Sequence, residues 1–270
     1  MLKISNSEFT KLVDFMKENF GINLSQKRHL IEGRLNKVII MKGFNSYEAY
    51  LNYAYQNTHE MKEMINNLTT NHTYFMREPE HFKFLIDVIL PFAEKNIHDH
   101  DLRIWSSACS TGEEPYTIAM TIAEYFGSRK VGWDTKILAT AISNRALEIA
   151  KKGVYSAEEA EKLPDNMKNK YLKQIDSNTF EVIKSIRDEV IFAPYNLMQE
   201  TLPFKKKFHI IFCRNVMIYF EKKTKDELIK KFYNHTENSG YLIIGLSESI
   251  DRNETGYKFI RPSVFRKEMR

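Results

Sequence analysis

A chain of 270 residues with 43% hydrophobic content can fill one large core or divide into a small and a medium domain. Its 40 basic and 35 acidic residues leave a formal charge of +5, which permits an acidic partner but lacks the strong basic excess of a typical nucleic-acid binder. No apolar run approaches a membrane span and the first residues lead into polar sequence, so a cytoplasmic protein without membrane insertion is expected. Cys109 and Cys213 are too few for a disulfide framework or a Cys-rich zinc site, and each reads as a small buried residue near a strand end. His72, His81, His98, His100, His209 and His235 show no ligand spacing, so no metal is expected.

Residues 6 to about 68 read as mostly helix. Phe9, Leu12, Val13, Met16 and Phe20 form one apolar stripe, Ile31, Leu35, Val38 and Ile39 a second, and Tyr47, Tyr50, Leu51 and Ala54 a third, with Gly21 and Gly43 as stops. Lys27, Arg28, Arg34, Lys37 and Lys42 lie on or beside the second helix, either as a solvated face or as a docking surface for an acidic partner. The next stretch, residues 68–85, is polar and aromatic, and Pro79 restarts the helical pattern. Asn71, Thr73 and Arg77 are therefore expected to face a cleft between domains, the plainer alternative being a helix cap with a solvated arginine.

From residue 102 strands and helices alternate, the pattern of a parallel sheet. Leu102, Ile104 and Trp105 read as a buried strand, Ser106 to Gly112 as a loop of small residues, and Glu113 onward as a helix opened by Pro115. Such a loop at a strand's carboxyl end lets a cofactor approach the backbone. It carries neither G-x-G-x-x-G nor a phosphate-cradling G-x-x-x-x-G-K-[ST], and Glu113 and Glu114 stand where a pyrophosphate would sit. Negative charge there suits a ligand with hydroxyls and cationic groups, such as S-adenosylmethionine, unless the carboxylates only complement a helix dipole.

Ile137 to Ile142 is the second strand, and Arg145 to Lys152 its helix, closed by Gly153. Residues 154–190 depart from the pattern. Thr179 to Val182 and Val190 to Phe192 read as a small antiparallel insert. Phe208 to Cys213 resumes the main sheet, a helix runs from Lys223 to Tyr233, and Gly240 to Gly245 and Tyr257 to Arg266 are the last two strands.

Four stretches together, TNHTYFMREPEHF (70–82), WSSACSTGEEPYTIAM (105–120), FAPYNL (192–197) and FHIIFCRNVMIYF (208–220), resemble the signature blocks of the CheR-type chemotaxis receptor glutamate O-methyltransferases, with GLSESI (245–250) as a fifth. The resemblance implies a class I methyltransferase fold: an α/β doubly wound, mostly parallel seven-stranded sheet. It also implies a small all-α N-terminal domain (1–75), a methyltransferase domain (76–270) and a small antiparallel β insert at about 155–190. S-adenosylmethionine is then the cofactor, S-adenosylhomocysteine the product, and the helical bundle of a methyl-accepting chemotaxis receptor the partner, met by a monomer with no nucleic acid involved.

Carried over residue by residue, the resemblance places Asn71, Thr73 and Arg77 around the cofactor's methionine end and the active site, with Glu113 as an acidic cofactor contact. Asn196 and Leu197 flank the adenine, Asn215 and Val216 follow the fourth strand, and Tyr219 lies near the transferred methyl. Arg77 and Tyr219 are the expected catalytic pair. Lys27, Arg28, Arg34 and Lys37 would steer the acidic receptor bundle.

Two departures stand out. Where the family has Ala-Thr-Asp at the end of the second strand, this chain has Ala139-Thr140-Ala141, so a carboxylate expected at the ribose is missing, with Ser143, Asn144 or Glu113 as compensating candidates. The loop at 174–179 is short and glycine-free, unlike that of members tethered to a receptor tail peptide. Two rivals remain. One is a methyltransferase acting on another substrate, such as a nucleic acid, against which Cys213-Arg214-Asn215-Val216 replaces the usual Pro-Pro motif. The other is a cofactor-impaired module that only binds a receptor or partner.

Overall fold

The computed structural model describes residues 2–251 and 255–268. Four helices come first: α1 (Asn6–Phe20), α2 (Arg28–Met41), α3 (Tyr47–Gln56) and α4 (Thr58–Leu68). α1 opens on a capping box in which the Ser5 hydroxyl accepts from the Glu8 N–H and the Glu8 carboxylate accepts from the Ser5 N–H. It closes at Gly21 in the left-handed region. The expected stripes meet in one core of Leu12, Met16, Ile31, Leu35, Ile39, Tyr50 and Ala54, each fully buried. α4, whose sequence has no stripe as clear as the others, adds Met64 and Leu68 to the same core.

After a crossing segment, α5 (Glu80–Phe84), one π-helical turn (Leu85–Ile89) and α6 (Leu90–Asn96) lead into the sheet domain. There follow β1 (Ile104–Ser106), α7 (Glu113–Phe126), β2 (Ile137–Ala141), α8 (Asn144–Lys152), β3 (Val154–Ser156), α9 (Ala157–Ala160), α10 (Asp165–Tyr171), β4 (Leu172–Gln174), β5 (Thr179–Val182), α11 (Lys184–Arg187), β6 (Val190–Pro194), β7 (Phe208–Cys213), α12 (Lys222–His235), β8 (Thr236–Ile244), β9 (Tyr257–Arg261) and β10 (Val264–Lys267). The main sheet has seven strands in the order β6-β2-β1-β7-β8-β10-β9, with β10 running against its neighbours. The chain leaves β1 toward β2 and β6, then returns to β7 on the other side. That reversal leaves a crevice above the carboxyl ends of β1 and β7.

Two expectations need correction. Val190 to Phe192 do not belong to the antiparallel insert: as β6 they pair in parallel with β2, Ile137 opposite Val190. The insert is β3-β5-β4, within residues 154–182. An apolar run of this length carries no mark of which sheet it joins, and the short α11 turns it back. Tyr257 to Arg266 is a hairpin rather than one strand, because Pro262 lacks an N–H and Ser263 adopts a φ of 61°. α7 begins at Glu113 as expected, with Pro115 inside its first turn where no intrahelical N–H is needed.

Trp105 on β1 is fully buried, and its indole N–H donates to the Thr140 hydroxyl at 2.9 Å, locking β1 to β2 immediately below the crevice. Cys109 and Cys213 are buried as expected, and burial pushes both thiols up, so neither is a thiolate at neutral pH.

Candidate active site

The loop after β1 is shaped by Gly112, whose φ of 100° disfavours any side chain and whose added Cβ would come within 2.8 Å of Ala150 Cβ and 2.9 Å of the Tyr155 hydroxyl. The loop therefore lies against α8 and β3, and its other flank, Ser107, Ala108 and Ser110, faces a cavity over the crevice. Ser107 is tied down by its N–H and hydroxyl, which donate to the Phe212 carbonyl at 2.8 and 2.9 Å.

Across the cavity runs the crossing segment. It is fastened at four points: Ser110 Oγ donates to the Asn71 carbonyl, the Met76 N–H to Thr117 Oγ1, Arg214 to the Arg77 carbonyl, and Arg214 and Asn215 to the Glu78 carboxylate. Met76 and Glu78, on either side of Arg77, have φ of 57° and 56°, a backbone held in a sparsely populated region by these bonds. Arg77 thus projects from a rigid support. Its guanidinium donates to the His72 carbonyl at 2.9 Å and lies 5.7 Å from the Tyr74 ring, and no acid pairs with it among the described residues.

Arg214 behaves differently. Its side chain is almost wholly buried, with Nη1 2.9 Å from Glu114 and Nη2 3.2 Å from Glu78. Glu114 also accepts from the Ser106 hydroxyl at 2.7 Å. One arginine between two carboxylates ties the β1 loop, the crossing segment and the end of β7 together, and removing it would strand two acids with little access to water.

The cavity is lined by Asn71, Thr73, Arg77, Ala141, Asn196, Leu197, Asn215, Val216 and Tyr219, all singled out from the sequence, together with Glu114 and Arg214. Glu113 is not in the lining. Its carboxyl turns inward to accept from the Thr111 hydroxyl at 2.7 Å, and burial pushes it up to about 7. The acid facing the cavity is its neighbour Glu114; which of two successive glutamates points inward depends on helix phase, which the sequence leaves open. At Ala141, none of the three residues anticipated as compensation is both free and in reach. Ser143 accepts from the Ala146 N–H as a helix cap and donates to Asn66 at 2.9 Å, and neither Asn144 nor Glu113 reaches the cavity.

Burial of Glu113 has a testable cost. Its folded value lies above the ordinary 4.5, so stability is fully present below about pH 4.5 and is lost as pH rises through about 7. Glu113→Gln should therefore unfold less readily than the native chain at pH 8.5 by roughly 2–3 kcal/mol more than it does at pH 5. Urea melts showing the same gap at both pH values would rule this out.

The far wall comes from the helical domain: Phe20, Ile22, Asn23, Leu24, Lys27 and Leu30. The sequence carries no sign that these residues reach the sheet. The Asn23 N–H donates to the Tyr219 carbonyl at 2.9 Å, the Asn196 amide to the Asn19 carbonyl at 2.7 Å, and Lys17 pairs with Glu221 at 3.0 Å. Of the basic cluster, three members are committed internally, Lys42 pairing with the buried Glu60 at 2.7 Å. Arg28 donates to the Ile4 carbonyl and to Asn6 and lies over the Phe9 ring, and Arg34 donates to the carbonyls of Leu68 and Thr69 and to Thr70. Lys27 and Lys37 stay exposed, with no ion pair among the described residues.

These donors suit S-adenosylmethionine. An arginine without an acid partner matches a ligand carboxylate, small residues allow close approach, and Arg214, also in the lining, keeps a buried Nε with no protein partner. A doubly wound sheet with this order, a small-residue loop after β1 and an acid instead of a phosphate cradle define a class I S-adenosylmethionine-dependent methyltransferase. The family model described as CheR methyltransferase, SAM binding domain, matches residues 71–265, and the one described as CheR methyltransferase, all-alpha domain, matches residues 7–69. The chain belongs to the CheR methyltransferase family. It is 43% identical to the chemotaxis protein methyltransferase of Borreliella burgdorferi, over 98% of this chain and 96% of that one, and 34% identical to that of Escherichia coli, over 98% and 92%. Among solved structures, TehB from Haemophilus influenzae is similar at 12% identity and a TM-score of 0.33, over 58% of this chain and 38% of that one.

Proposed function

We propose that this protein transfers the methyl group of S-adenosylmethionine to glutamate side chains on the cytoplasmic helical bundle of chemotaxis receptors, forming methyl esters. The observation that carries this reading is the cavity itself, which opens over the β1–β7 crevice with Arg77 and Tyr219 on its wall, His72 and Glu114 being the residues in the lining to which a general base would fall if the acceptor required one. A carboxylate acceptor needs none. Glutamate ionises at about pH 4.3, so at neutral pH the nucleophile is ready and no proton moves. The bound cofactor supplies an electrophilic methyl on a sulfonium; the carboxylate oxygen gains that methyl as the sulfur–carbon bond breaks.

What the protein contributes is placement and exclusion of water, and proximity can supply about 7–11 kcal/mol of the barrier. Arg77 would hold the cofactor's carboxylate or aim the acceptor, while Asn71 and Thr73 flank it. Leu197 and Asn196 would border the nucleobase, and Asn215 and Val216 the opposite side. Glu114, rather than Glu113, would be the nearby acid. Tyr219 would stand beside the moving methyl. A guanidinium clamped tightly on the nucleophile would blunt it, which favours an orienting role for Arg77.

Incubation with methyl-labelled cofactor and receptor-containing membranes tests the reading. Label should enter the receptor and be released as methanol by mild base, whereas base-stable label would mean another acceptor atom.

Docking would use the exposed lysines. Changing Lys27 and Lys37 together to glutamate should raise KM for receptor several-fold at low ionic strength, with the effect fading at high salt, since exposed charges are screened beyond about 10 Å at 0.1 M. Kinetics unaltered at low salt would return these lysines to a merely solvated face. The insert's hairpin offers little to a tail peptide. Between β4 and β5 the chain makes a tight turn in which Ile175 and Asp176 donate to the Thr179 carbonyl. An isolated receptor tail peptide should accordingly show no micromolar binding by calorimetry.

A further inference from the structure

We propose that Glu248 is a positioning residue for methyl transfer, acting through the loop that carries Tyr219. The proposal rests on the methyltransferase reading above and assigns work to the 245–250 block, which the cavity lining does not include. Glu248 Oε1 accepts from the Met217 N–H at 2.7 Å and the Ile218 N–H at 3.3 Å, and Oε2 accepts from the Asn215 N–H at 2.9 Å and the Gly245 N–H at 2.6 Å. No basic side chain pairs with it among the described residues; four backbone donors hold the charge. The carboxylate therefore staples the turn after β8 to the loop after β7.

The staple is tight. A Cβ on Gly245 would sit 2.6 Å from Asn215 Nδ2 and 3.0 Å from its backbone N, so the two loops approach more closely than any side chain there would permit. Asn215 itself has a φ of 56°, held from one side by Glu248 and from the other by Glu78, which accepts from its amide at 3.1 Å. Directly after it, Met217–Tyr219 form one 3-10 turn with Met217 buried beneath, and this turn sets the direction of Tyr219 into the cavity.

An amide could not replace the acid. Gln has one acceptor atom where Glu has two, so its NH2 would face two N–H donors and leave them unpaired in a half-buried site, opening one side of the staple. The loop would stay attached to the sheet through β7 but lose its fixed aim.

The test combines Glu248→Gln with Tyr219→Phe in full-length protein. With saturating cofactor and receptor, Glu248→Gln should lower kcat about tenfold or more in the native background but less than threefold in the Tyr219→Phe background, because a residue acting through Tyr219 has little left to lose once the phenol is gone. Amide exchange should quicken at residues 215–218 and 245 and remain unchanged in the strands. Equal losses in both backgrounds, or a kcat within twofold of the native value, would overturn the proposal. Should Glu248→Gln melt far below the native protein, Glu248→Asp takes its place: it keeps the charge, spans the gap poorly, and should show a smaller loss that again disappears with Tyr219→Phe. If the native enzyme esterifies no receptor, the functional reading fails by itself, and unaltered amide exchange in Glu248→Gln is then the result that sinks the staple.

Discussion

Replacing Arg77 with alanine is expected to cut methyl transfer by roughly two to four orders of magnitude. The estimate follows from two hydrogen bonds to a charged group, each contributing about 1.5–3 kcal/mol. The fold should survive, because what anchors the crossing segment is the Arg77 carbonyl and the Glu78 side chain, both gripped by Arg214, and not the guanidinium. Thermal melting should therefore move little while turnover disappears. Arg77→Lys should restore only a small part, since an ammonium cannot present a planar pair of donors. If Arg77→Ala retained turnover within about threefold of the native enzyme, the guanidinium would have to be removed from the site.

The second large effect is a gain. Ala141→Asp should tighten S-adenosylhomocysteine binding by about tenfold or more, measured by calorimetry, one charged hydrogen bond being sufficient for that factor. The backbone is already in place: the Ala141 carbonyl accepts from the Tyr195 N–H at 3.1 Å at the last rung between β2 and β6, and the side chain faces the cavity. Among the described residues no free carboxylate stands there to meet a ribose. Glu114 is engaged by Ser106 and Arg214, and Ser143 by its helix and Asn66. A 2′-deoxy ligand should gain less than the parent compound, which separates a ribose contact from a general rise in negative potential. No change in affinity for the parent would refute the assignment.

The helical stripes, the alternating strands and the small-residue loop were legible in the sequence because each obeys a local period. The sites of failure share the opposite property. Val190 to Phe192 could join either sheet, since an apolar strand does not encode its partner. The inward turn of Glu113 onto Thr111 and the turn of Glu114 onto Ser106 and Arg214 depend on partners met only in the fold. Arg28 and Arg34, which look like surface charge in one dimension, are occupied by carbonyls from Ile4 and from residues 68–69, a pairing across more than twenty residues that no motif announces. Arg214 lay inside a recognised block, yet its burial between two acids emerges only when three distant segments converge.

The helical domain's contribution to the cavity wall makes it something other than a docking accessory. The turn between α1 and α2 holds the Tyr219 loop by its carbonyl, and the same α2 presents Lys37 to the exterior. A receptor docked on that helix, as proposed above, would pull on the reaction chamber too, so that grasping the substrate and shaping the chamber would share one mechanical linkage; neither half of the chain holds a complete chamber without the other.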